Sequence, residues 1–165
     1  MSYVLDANVF ISASRLHYGL DFCPAFWSWL IHQGNVGKVL SIDKIADEVK
    51  AGADDLSEWA KKSGKSLFQR FPPSLDEQFG EVSNWAMSRQ YTPAAINNFF
   101  QVADYHLVVF ALAKGYTVVT HEVMSDSRSR IKIPNACSDL GVECITPWQM
   151  LRREKARFVL GDLDG

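Results

Sequence analysis

An α/β fold on a mostly parallel sheet is predicted by three features of the sequence. Short β-branched and aromatic runs, Tyr3-Val4-Leu5 and Tyr116-Thr117-Val118-Val119-Thr120, read as buried strands. Ahead of the second, Val102 to Lys114 is apolar nearly all round after its first turn, which marks a helix buried in the body of a domain. Polar residues stand where each strand run stops, Asp6 and Asn8 after the first and Thr120 and Glu122 at the second. In α/β sheets ligands bind outside that carboxyl edge.

In chain order, Asn8 to about Leu16 continues as helix, and Phe22 to His32 is a second helical segment dense in aromatics, with Phe22, Phe26, Trp29 and Leu30 at helical spacing. Trp27 and Trp29 therefore read as packing residues rather than a base-stacking platform. Val39-Leu40-Ser41-Ile42 is a short strand or a helix entry with Ser41 as cap. Along Ile42 to Lys50, Ile45, Ala46 and Val49 share a face, Asp43, Lys44 and Asp47 point away, and Glu48 lies on the flank. Leu56, Trp59 and Ala60 give one apolar stripe to a surface helix between Gly52 and Gly64. Gly64-Lys65-Ser66 lacks the earlier glycine of a phosphate loop, since that position is Trp59.

Phe71-Pro72-Pro73 breaks the chain, and Ser74 to Arg89 is a helix with Leu75, Phe79, Val82 and Trp85 or Ala86 inward. Thr92 caps a new helix with Pro93 in its first turn. Lys114-Gly115 stops the buried helix. Ser125 to Lys132 is a polar loop carrying Arg128, Arg130 and Lys132, cations suited to phosphate contacts. Val142 to Ile145 is a last short strand, and Thr146-Pro147 opens a helix carrying Trp148, Met150 and Leu151. The tail from Gly161 to Gly165 is small and acidic and reads as frayed.

With 165 residues and 47% apolar content the chain fits one domain, expected to span 1–165. A net charge of -2 argues against holding nucleic acid by bulk electrostatics alone, yet leaves room for a metal enzyme, whose ligand carboxylates count as negative in the sequence. Cys23, Cys137 and Cys144 make neither an even disulfide set nor a CxxC pair, which fits a reducing cytoplasm. With no basic leader ahead of an apolar stretch and no window reaching ~18 apolar residues, a soluble, unprocessed protein away from the membrane is expected.

Taken singly, the acids have ordinary explanations. Asp6 is a helix cap, Glu48 a glutamate bordering the core, and Asp104 a first-turn acid favoured by the helix dipole. Asp104 nevertheless heads a buried face with Val108 and Ala111, where an acid needs a partner such as a cation. Delivered together to one sheet edge, Asp6, Glu48, Asp104 and Glu122 repel unless protonated or bridged by hard cations, and Mg²⁺ or Mn²⁺ suits oxygen ligands. Two such ions roughly 3.5–4 Å apart hold a phosphodiester and activate water for its hydrolysis.

The blocks LDAN at the N-terminus, SIDKIADEV, ADYHLVVFALAKG, and VVT followed by an acid resemble the PIN domain superfamily of nucleases, which includes VapC-type toxins. The resemblance covers about Met1 to Leu151. It implies a three-layer α/β/α sandwich on a parallel sheet and a Mg²⁺- or Mn²⁺-dependent endoribonuclease that leaves a 5′-phosphate. By that match Asp6, Glu48 and Asp104 are the main metal-binding acids, and Asn8 and Thr120 orient ligands or water. Many relatives place the fourth acid, an aspartate, immediately after the Thr block or slightly later; here Glu122 stands there, with Asp126 as second candidate. The chain exceeds compact toxins of this type mainly through a helical insertion at about 52–91. A toxin of a toxin–antitoxin pair is the expected role, with RNA as substrate, an antitoxin as partner and a homodimer through aromatic helices by analogy.

The alternative is a catalytically silent PIN-fold module that binds RNA or protein, against which the four acids count. A phosphatase with Asp6 as nucleophile wants a carboxylate two residues on, and that residue is Asn8. No serine has a GxSxG setting, and His17, His32, His106 and His121 form no ligand spacing. They read as surface or helix-end residues, with His121 set apart by its neighbour Glu122.

Overall fold

A computed structural model describes residues 1–161. Of the tail expected to fray, residues 162–165 lie outside the described residues. The sheet consists of β1 (Tyr3–Leu5), β2 (Val39–Ile42), β3 (Phe68–Gln69), β4 (Thr117–Val119) and β5 (Cys144–Ile145), all parallel, in the order β3-β2-β1-β4-β5. Leu5 aligns with Val119, so β1 and β4 end level with one another. Chain order reverses between these two strands, which makes their carboxyl ends the switch point of the sheet.

Parallel strands require crossovers, and these carry the helices. From β1 to β2 run α1 (Ala7–Ser12), prolonged by a π-helical turn at Ala13–His17, and α2 (Pro24–Asn35). From β2 to β3 run α3 (Asp43–Lys50) and α4 (Asp55–Lys61), and from β3 to β4 run α5 (Asp76–Ser88), α6 (Pro93–Gln101) and α7 (Ala103–Lys114). The helix α8 (Ile133–Leu140) joins β4 to β5, and α9 (Pro147–Arg153) follows. Right-handed crossovers that move outward from β1 to β3 and back from β3 to β5 place their helices on opposite faces. The result is the three-layer α/β/α arrangement.

Val4, Leu5, Ile42, Val118 and Val119 are fully buried between the layers, as are Leu107, Val108 and Val109 of α7. Each such side chain stabilises the fold by about 1.5–3 kcal/mol relative to exposure. Gly115 closes α7 at φ 70°, a left-handed position that suits glycine. Thr92 and Thr146 cap α6 and α9 through their hydroxyls, the latter in a reciprocal capping box with Gln149.

Three local expectations change. Ser41 does not cap a helix: β2 runs through Ile42, and the buried Ser41 hydroxyl donates to the Leu5 carbonyl at 2.6 Å, tying two strands together. The 52–91 stretch, read as helical, also supplies β3, which pairs with Ser41 and Ile42 at the sheet margin. The helix α8 follows the polar loop without having been anticipated, opened by Pro134 and closed by Gly141 at φ 73°. Among the described residues no helix is long and apolar enough to cross a membrane.

Candidate active site

Asp6 follows the last residue of β1 and caps α1, so its carboxylate is held in place by backbone geometry. One oxygen accepts the Ala7 N–H at 2.7 Å, and the other accepts the Thr120 hydroxyl at 2.8 Å. Thr120 occupies the equivalent position after β4, and its oxygen also accepts from Asn8 Nδ2 at 3.2 Å and from the Glu122 N–H at 3.1 Å. Asn8 Oδ1 in turn accepts the His121 N–H at 3.1 Å. A single buried hydroxyl thereby fastens the ends of two strands to each other.

Glu122 is fixed from the far side, where its Oε2 accepts the Ile133 N–H at the start of α8 at 2.8 Å and its Oε1 lies 3.8 Å from Arg130. Asp104 enters from the first turn of α7, and Glu48 from α3, which packs against α7. Asp6, Glu48, Asp104 and Glu122 line one cavity of about 480 Å³, with Asn8 and Arg130 on its wall. Asp6 is 5% exposed, Asp104 and Glu122 are half-buried, and Glu48 is exposed at the rim.

Burial is the main reason that Asp6 is pushed up to about 7, with the charges of Asp104 and Glu122 adding to it and the Thr120 and Ala7 hydrogen bonds opposing it. Asp104 is likewise raised to about 7 by desolvation first, then by Glu122 and Glu48, against the pull of Arg130 and Lys132. Desolvation of its carboxyl also raises Glu48. Among the described residues none of these three acids forms an ion pair with Lys, Arg or His. The donor set consists of hard oxygens with uncompensated charge, which suits a divalent oxygen-seeking cation. Among the described residues, however, no three acid, imidazole or thiol side chains are already gathered as ligands of one ion.

Asp126 and Arg128 are not brought to this cavity. Both are exposed and line a separate polar hollow with Arg89 and Asn135. The loop cations thus divide, with Arg130 on the acidic cavity and Lys132 close enough for Asp104 to feel its charge. Asn98 of α6 also lines the cavity and escaped the sequence reading. Adjacent Asn97 and Asn98 offer no local signal for choosing between them.

Two histidines are not the plain surface or helix-end residues expected. His106 packs among Phe71, Phe79 and Tyr105, and its Nδ1 is buried without a hydrogen-bond partner among the described residues. His121 packs against His17 and Trp148, which come from distant parts of the chain.

Among solved structures, the chain is similar to FitAcB from Neisseria gonorrhoeae, at 16% identity and TM-score 0.55 over 88% of this chain and 98% of that one. VapBC2 from Rickettsia felis, bound to a DNA fragment from their promoter, matches at 16% identity and TM-score 0.55 with the same coverage. FitAB bound to the IR36 DNA fragment matches at 13% identity and TM-score 0.53, over 88% of this chain and 95% of that one. These likenesses show the fold, a PIN-like α/β architecture. No curated protein matches the chain. Residues 3–158 match the family described as "Domain of unknown function (DUF4411)", and over that span the chain belongs to it.

Proposed function

We propose that the protein is a metal-dependent endoribonuclease, acting as the toxin of a toxin–antitoxin pair, with the acidic cavity as its active site. The observation that carries this reading is the placement of Asp6, buried, and Asp104, half-buried, on one cavity, neither with an ion-pair partner among the described residues. Unneutralised buried acids cost stability, and a site that gathers them is explained by a cation they receive. Asp6, Glu48, Asp104 and Glu122 would hold Mg²⁺ or Mn²⁺. Bound there, such an ion supplies Lewis-acid stabilisation of a phosphodiester and lowers the pKa of water.

The chain's own groups do the positioning. The Thr120 hydroxyl and the Ala7 N–H fix both oxygens of Asp6, and the Ile133 N–H fixes Glu122, so neither carboxylate needs to reorganise when a substrate arrives. Arg130 faces the same cavity and is placed to meet a phosphate oxygen. The toxin role and an antitoxin partner are supported by the likeness to VapBC2 and FitAcB. A silent RNA- or protein-binding module is the second reading, favoured by the absence of a ready-made ligand cluster among the described residues.

The test is incubation of purified protein with a mixed pool of single-stranded and structured RNA, with Mg²⁺, Mn²⁺ or EDTA, beside Asp6→Asn and Asp104→Asn. Cleavage that requires metal and falls by more than roughly 100-fold in each variant is expected. Full activity in either variant, or in EDTA, would remove the metal assignment. Metal binding without cleavage of any RNA in the pool would favour the silent module.

A further inference from the structure

Three rings from three segments meet at the carboxyl edge of the sheet. His17 ends the π-helical turn after α1, His121 follows Thr120 at the end of β4, and Trp148 stands in the first turn of α9. Ring centroids are 5.6 Å apart for His17 and His121, 5.3 Å for His17 and Trp148, and 5.0 Å for His121 and Trp148. Aromatics at such spacing in a core are mutually buried. Here His17 is exposed and Trp148 remains 40% exposed, while its helix neighbours Met150 and Leu151 go inward.

The cluster is joined to the site by one peptide group. The His121 N–H is the donor to Asn8 Oδ1; of its flanking residues, Glu122 lines the acidic cavity and Thr120 donates its hydroxyl to Asp6, which does. On its other side Trp148 lines a hollow of about 180 Å³ together with Tyr18, Arg152 and Phe158. Trp148 and the exposed Arg152 are four residues apart on α9, hence on one face of that helix. An exposed aromatic surface with a cation beside it, one residue in sequence from Glu122 of the proposed active site, is the arrangement by which proteins grip single-stranded RNA: bases stack on rings while cations follow the backbone.

We infer that His17, His121 and Trp148 form a stacking subsite for a nucleobase of single-stranded RNA next to the scissile phosphate, with Arg152 meeting the adjoining backbone. The inference rests on the nuclease reading for its substrate. It differs from a packing role in demanding that the rings contact a base.

The experiment measures KM and kcat for a 5′-labelled single-stranded RNA with Mg²⁺, and Kd for the same RNA in an Asp104→Asn background. It compares Trp148→Ala, Trp148→Phe, His17→Ala and Arg152→Ala, all checked for native circular dichroism. Trp148→Ala and His17→Ala are expected to weaken binding about tenfold each, with more of the loss in KM than in kcat, and Trp148→Phe to restore most of it. Arg152→Ala should reduce the salt slope by about one. RNAs with one base removed should reveal a position whose loss weakens the native protein but not Trp148→Ala.

Unchanged affinity in Trp148→Ala, with cleavage intact, would overturn the stacking subsite and leave the nuclease standing. Trp148-dependent RNA binding without cleavage by the native chain would support the subsite and remove the nuclease. No RNA binding by any form would overturn both.

Discussion

At the amino edge of the sheet Glu143 and Glu154 each lie against a cation, whereas at the carboxyl edge Asp6 and Asp104 lie in a cavity with other acids. Glu154 accepts the Tyr3 hydroxyl at 2.8 Å and pairs with Lys38, and Glu143 pairs with Arg153 at 2.8 Å and accepts the Thr117 hydroxyl at 2.9 Å. The partners hold both glutamates below the ordinary carboxylate range, Arg153 acting first on Glu143 and Lys38 first on Glu154. In exchange, burial and the neighbouring Glu154 push Tyr3 up to about 12. The same side-chain chemistry therefore serves stability at one edge and works against it at the other. Under the proposed function, acids that lower the stability of the fold in isolation are explained by the cation they would receive.

The largest effect expected from this contrast is on the metal-free protein. Burial pushes Asp6 from the ordinary value of 3.8 up to about 7, so the folded state binds the extra proton and stability falls as pH rises from about 4 through about 7. Asp6→Asn should raise metal-free stability at pH 8 by on the order of 2–4 kcal/mol, with the two proteins converging below about pH 4. Urea titrations across that range check it, and equal stability at pH 8 would mean that the acid is already compensated. Adding Mg²⁺ or Mn²⁺ should stabilise the native protein more than the variant.

A smaller effect of opposite sign is expected at the amino edge. Because Glu154 is held low, its contribution is present above its unfolded value and lost as pH falls through its folded one. Glu154→Gln should cost about 1 kcal/mol at pH 7 and nothing at pH 2, as read from thermal melts. A stabilising outcome would erase the distinction between the two edges.

Within the cation-bearing loop, Arg130→Ala should lower RNA affinity and reduce the salt slope by about one, and Arg128→Ala should do less, because only Arg130 lines the acidic cavity. Binding curves at three salt concentrations separate them. The smallest expected effect is that of Asp126→Asn, within about 0.5 kcal/mol in stability and without loss of cleavage. A large loss of activity in that variant would restore Asp126 as the fourth acid and displace Glu122.

Much of this arrangement is legible along the chain because its signals are local. A β-branched run that stops at an acid, an apolar helix headed by Asp104, and the Thr-Pro openings of α6 and α9 each declare themselves within a few residues. Ser41 marks the limit of such signals: locally it suits a strand and a helix cap alike, and the partner that decides for the strand, the Leu5 carbonyl, lies 36 residues away. The strand β3 has two residues and exists only because β2 offers it an edge.

The sequence by itself determined the α/β class, the buried helix α7 and the acids at strand and helix ends, since periodicity and capping are properties of short segments. Only the tertiary structure decided which acids share a cavity. The Ile133 N–H of an unanticipated helix fixes Glu122 there, while Asp126, four residues on, turns to another hollow. It also decided that His17, His121 and Trp148 meet, because contacts between residues far apart in the chain are set by how the whole core packs.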